Sequence, residues 1–95
     1  MKQILSSLAL TALISVGSQA VAADCYADYK AKQDNPLRLH YGVMLVSSCD
    51  KGSARNEVAK RLKSNGWTLL NVMTVFEAGG LDQRKANAGK YYLRY

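Results

Sequence analysis

Two cysteines, Cys25 and Cys49, constrain this chain most, because the part of it that holds them is small enough to need a cross-link. The chain opens on a leader: Lys2 supplies positive charge, Ile4 to Val16 is apolar except for Ser and Thr, and Ala20-Val21-Ala22-Ala23 offers an A-x-A cleavage site. The apolar run of about 13 residues falls short of the ~20 needed to cross a bilayer. Asp24 stands before Cys25 where lipoprotein processing requires a small neutral residue. Residues 1–23 therefore read as a cleaved signal peptide, and 24–95 as one exported domain.

Cleavage after Ala22 or Ala23 leaves 73 or 72 of the 95 residues. A domain of that size buries only about 60% of its unfolded surface. Export carries Cys25 and Cys49 to an oxidising compartment where pairing is the default. A disulfide closing a loop of 23 intervening residues would stabilise the fold by roughly 3 kcal/mol. The other use of two thiols, redox or metal chemistry, lacks a C-x-x-C spacing and further ligands, since His40 is the only histidine. The expectation is a Cys25–Cys49 bridge, with no metal and no cofactor.

Setting Lys2 aside, 12 of the 13 Lys and Arg face 7 Asp and Glu, a net charge of +5. Outside the cytoplasm such a surface attracts lipid headgroups, acidic glycans or an acidic envelope protein, and nucleic acid is not an expected partner. The charges are scattered rather than run together, so the excess also reads simply as a solubilising surface.

Asp24 to Lys32 contains good helix formers, with Tyr26 and Tyr29 three apart, and predicts a short N-terminal helix tethered by Cys25. Asp34-Asn35-Pro36 is a turn. Leu37 to Ser47 reads as a strand, with Leu39, Tyr41, Val43 and Leu45 on one face and Met44 and Val46 on the other. Asp50 or Ser53 caps a helix over Ser53 to Asn65, whose apolar stripe is Ala54, Val58, Ala59 and Leu62 and which Gly66 ends. Trp67 to Glu77 is a second strand, rich in β-branched and aromatic residues, with Trp67 closing the core. Ala78-Gly79-Gly80 breaks it, Leu81 to Ala88 has the composition for one or two helical turns, and Tyr91 to Tyr95 reads as a last strand. The fold class is α+β: a small three-stranded sheet with one main packed helix in β-α-β-(short α)-β order, plus the N-terminal helix tied down by the disulfide. The first two strands, joined through a helix, are expected to run parallel.

The stretch Arg61-Leu62-Lys63-Ser64-Asn65-Gly66-Trp67-Thr68-Leu69-Leu70-Asn71-Val72 resembles the helix, turn and strand of small uncharacterised bacterial β-α-β domains with a G-W-x-L-[VL]-x-V pattern. The segments Asp24 to Lys30, Leu37 to Val43 and Leu81 to Lys85 resemble small exported alphaproteobacterial proteins of unassigned function, which implies a Gram-negative periplasm. Neither resemblance carries an activity or a functional residue. The strand, helix, strand order is also similar to small periplasmic domains that bind peptidoglycan glycan strands on a sheet face, although a second full helix before the last strand is missing here.

Catalysis needs a nucleophile, base or metal in a cleft. His40 alone has a reference pKa near neutrality, and it reads as a structural histidine on a strand. Ser47 and Ser48 lie over ~20 Å away if the strand is extended at ~3.3 Å per residue. The carboxylates Asp50, Glu57, Glu77 and Asp82 are dispersed, so no catalytic residue is assigned and the chain reads as a non-enzyme. Positive charge and tyrosine coincide near the end of the chain. Arg84, Lys85, Lys90, Tyr92 and Arg94 form the candidate binding surface, with Tyr91, Leu93 and Tyr95 alternating toward the sheet. These features point to a periplasmic, non-catalytic binding or interaction module for an envelope protein or an acidic glycan or lipid surface. The alternative is a small inhibitor of an exported enzyme.

Overall fold

The computed structural model describes residues 24–95, and its first element is a strand rather than a helix. β1 (Cys25–Gln33) lies at the centre of a three-stranded sheet in the order β2-β1-β3, with β2 at Arg38–Val46 and β3 at Thr68–Glu77. Both neighbours pair with β1 antiparallel. The expected helix over Asp24 to Lys32 is thus corrected. Cys25, Ala27, Tyr29 and Ala31 are all buried at spacings of two, and hydrogen-bonding partners on both sides override a helix propensity worth only tenths of a kcal/mol per residue. The expected signal peptide, residues 1–23, lies outside the described residues.

α1 (Lys51–Ser64) follows β2 and packs across one face of the sheet. Its signals are those read locally: Asp50 Oδ2 accepts a 2.9 Å hydrogen bond from the Ser53 N–H, and Ala54, Val58 and Leu62 form the buried stripe. At the other end the Gly66 and Trp67 N–H groups bond the Lys63 and Leu62 carbonyls at 3.1 and 2.9 Å. Gly66, with φ of 83°, supplies the left-handed turn that this closure requires. β2 and β3 run in the same direction, as a helical crossover demands, but β1 is inserted between them, so the expected parallel pair does not form.

The face under α1 is made by Cys25, Ala27, Tyr29 and Ala31 of β1, His40, Gly42, Met44 and Val46 of β2, and Val72 of β3. Tyr29 lies across its cross-strand partner Gly42, where a Cβ would stand 2.4 Å from the phenolic oxygen. A small residue there lets a large ring lie in the middle of the core, between Ala27 and Ala31 of its own strand. The disulfide Cys25–Cys49, with a Cα–Cα distance of 5.4 Å, joins the start of the central strand to the loop between β2 and α1. It was expected to hold a helix; it holds a strand.

After β3, a 3-10 turn at Ala78–Gly80 leads to α2 (Asp82–Ala88), the short helix anticipated for this segment. The chain end departs from expectation. Tyr91 to Tyr95 is no strand: a second 3-10 turn at Gly89–Tyr91 is followed by one parallel bridge, Tyr92 to Val43, on the outer edge of β2. Tyr91 and Tyr95 turn inward to pack on His40 and Trp67, but Gly89 and Leu93, with φ of 53° and 55°, turn the backbone out of the extended course a strand needs.

Candidate binding surface

Residues 89–95 are held by turns and side-chain bonds rather than by a strand ladder. Gly89, with φ of 53°, ends α2, and the Leu93 N–H donates to the Val43 carbonyl at 2.9 Å. Trp67 Nε1 donates to Tyr95 Oη at 3.1 Å, and Arg61 Nη1 reaches both the Leu45 carbonyl, at 2.9 Å, and the Tyr95 carbonyl, at 3.4 Å. Arg61 is itself oriented by an ion pair with Glu57. The Ser47 N–H beside Glu57, helped by the Ser47 hydroxyl and Arg61, holds that carboxyl below its usual range.

On this anchored segment, three cations each lie over a ring: Lys85 over Tyr92 at 5.5 Å, Lys90 over Tyr91 at 5.4 Å and Arg94 over Tyr95 at 5.7 Å. All three are exposed, and none takes part in an ion pair among the described residues. A cation over an aromatic face loses little of its attraction for an outside anion, while the ring restricts where it points. Tyr92 is half-buried beneath Lys85.

The fifth candidate, Arg84, is committed elsewhere. Its Nε donates to Asp28 Oδ2 at 3.0 Å, its Nη1 donates to the Gly80 carbonyl at 2.8 Å, and its guanidinium lies 3.9 Å over the Phe76 ring. Asp28, buried on the sheet face away from α1, also accepts a 2.8 Å bond from Tyr41 Oη. Burial, reinforced by that bond to Asp28, pushes the Tyr41 hydroxyl up to about 12. Arg84 therefore fastens α2 to the sheet, and the presented cations are Lys85, Lys90 and Arg94.

His40, weighed as a base from sequence, lies at 8% exposure in a cage of rings. Tyr91 stacks on it at 3.7 Å, Trp67 meets it edge-on at 4.2 Å, and its Nε2 shares a 2.9 Å hydrogen bond with Tyr29 Oη. Burial lowers its pKa to about 4 and raises that of Tyr29. Asp28 is on the neighbouring strand but on the opposite face of the sheet, so it does not reach this imidazole. Among the described residues no cluster of His, Cys, Asp and Glu is arranged to hold a metal ion, and no helix is long and apolar enough to cross a membrane.

The sequence drew attention to the basic tyrosine-rich end but not to the Asp28–Tyr41–Arg84 group or the ring cage of His40. Alternation along a strand puts Asp28 on the face opposite Ala27 and Tyr29, and its burial there depends on α2 and Tyr41. Comparison with protein-family models, with curated proteins and with solved structures found no match.

Proposed function

We propose that this protein is a small exported binding module, without catalytic activity, that engages an anionic partner of the cell envelope through the Lys85, Lys90, Tyr92 and Arg94 surface. The observation that supports this reading most is the presentation of three cations without carboxylate partners on tyrosine rings. Those rings belong to a segment whose own tyrosines are built into the core. Anchoring matters because a pre-positioned cation gives up less conformational freedom on binding than a free side chain. The disulfide fits an oxidising compartment and thus an exported chain.

The test is affinity capture of the tagged, exported protein from envelope extract, with wash salt raised stepwise, alongside the charge-reversed variant K85E/K90E/R94E. Glycan, lipid or acidic protein retained at low salt by the parent and lost by the variant is the expected result. Equal retention by the two proteins, or no enrichment by either, refutes it. Stoichiometric capture of one exported hydrolase with loss of its activity would replace the module by an inhibitor.

A further inference from the structure

A second pair of exposed cations, Arg55 and Lys63, lies beside a strand that has room for a partner. β3 pairs only with β1, so its outer edge carries backbone N–H and C=O groups with no strand beside them among the described residues. From Thr68 to Phe76 this edge contains no charge and no proline, and Thr68, Leu70, Asn71 and Met73 are exposed along it. Edge strands usually carry charges, prolines or a covering segment that discourage pairing. Among the described residues the bulges at Met73 and Leu70 are the only such device on this edge.

Alongside the start of β3 runs a groove of about 320 Å³, walled on the helix side by Arg55, Ala59 and Lys63 and on the strand side by Trp67, Thr68 and Leu69. Arg55 and Lys63 are two turns apart on α1 with the small Ala59 between them, so both cations flank an open trough. Among the described residues no carboxylate lines it, and neither cation is in an ion pair.

We infer that the groove between α1 and β3 receives an extended acidic peptide segment of a partner protein, which adds to the β3 edge as a further strand and places its carboxylates against Arg55 and Lys63. Backbone hydrogen bonds along the edge supply affinity that does not depend on side chains, and the two cations select for acidic ones. An acidic glycan would satisfy the cations but has no backbone to match the edge. A second copy of this chain would bring a single carboxylate on β3, Glu77, for every two cations it adds. The inference rests on the binding-module reading but uses a different surface, so the two are separable.

The experiment titrates a fluorescent peptide alternating Glu with Val into the exported protein, reading anisotropy together with amide exchange along Thr68–Glu77. Saturable binding, slowed exchange on β3, and affinity weakened about tenfold or more in R55E/K63E are expected, since two exposed ion pairs are removed and reversed. A peptide N-methylated at alternate residues, unable to complete a ladder, should lose binding. The variant K85E/K90E/R94E should bind the peptide as the parent does even though it fails in envelope capture. Undiminished binding of the N-methylated peptide, indifference to R55E/K63E, or equal displacement by a polyuronate oligosaccharide overturns the inference. So does concentration-dependent dimerisation that protects β3 without peptide, since a second copy would then own the edge.

Discussion

Acidification should weaken this fold before its carboxylates begin to protonate, and His40 is the reason. Its pKa is near 6.5 in an unfolded chain and about 4 in the folded one, lowered by burial among Tyr29, Trp67 and Tyr91. Above pH 6.5 the imidazole is neutral in both states and contributes no pH dependence. Between about 6.5 and about 4 the unfolded chain takes up a proton that the folded chain refuses, so stability falls as pH falls. The whole shift corresponds to about 3 kcal/mol, of which about 2 kcal/mol is lost between pH 7 and pH 5. Asp50 and Glu57 act in a lower window. Their pKa values are depressed by the Ser53 and Ser47 N–H groups, so their stabilisation is complete above the ordinary carboxylate range and disappears only as pH falls through their folded values. Urea unfolding of the oxidised protein at pH 7, 6 and 5 measures the effect, with H40Q as the non-titrating control. The parent midpoint should fall steadily while the variant, less stable at pH 7, stays level. A parent curve that is flat over this range, or an H40Q curve that falls as steeply, would show that the imidazole is not held neutral by its surroundings.

Other perturbations test the packing and the cross-link. G42A should destabilise by about 2 kcal/mol, the usual cost of overpacking a filled core, because its Cβ would meet the buried Tyr29 ring at 2.4 to 2.9 Å; G79A, whose Cβ meets nothing within 4 Å, should leave the urea midpoint unchanged. Replacing both cysteines by alanine should remove roughly 3 kcal/mol, seen as a lower thermal midpoint that reductant does not lower further, whereas reductant should lower that of the parent. R84A should cost about 3 kcal/mol because it leaves Asp28 buried without its cationic partner. The paired variant D28N/R84M should recover part of that loss; if it is no more stable than R84A, the unpaired buried carboxylate is not the source of the cost.

The candidate surface is legible in part from the sequence. Lys85, Lys90, Tyr92 and Arg94 are close in sequence around a glycine that turns the chain, and each of the three cations lies over a tyrosine of the same segment. Arg84 looked identical from the sequence. Its assignment depended on Asp28, 56 positions earlier, and nothing local to either residue announces the other. The α1–β3 groove was equally hidden, since it exists only where Arg55 and Lys63 are laid beside the first residues of a strand.

What the sequence determined by itself is whatever a single segment encodes in its own spacing and ends. The main helix has its Asp50 cap, its four-residue apolar spacing and its Gly66 stop; β3 has its β-branched run; the two cysteines have their pairing. Tertiary structure decided the rest. Residues 25–33 have a composition that suits a helix, and they become the central strand because two other strands hydrogen-bond to them and α1 covers their alanines. Tyr91 and Tyr95 suit a strand, and they become an anchored turn because His40 and Trp67 present rings to bury them. Local preference is worth tenths of a kcal/mol per residue, whereas burying a ring or completing two ladders is worth several kcal/mol, so distant partners prevail wherever the two conflict.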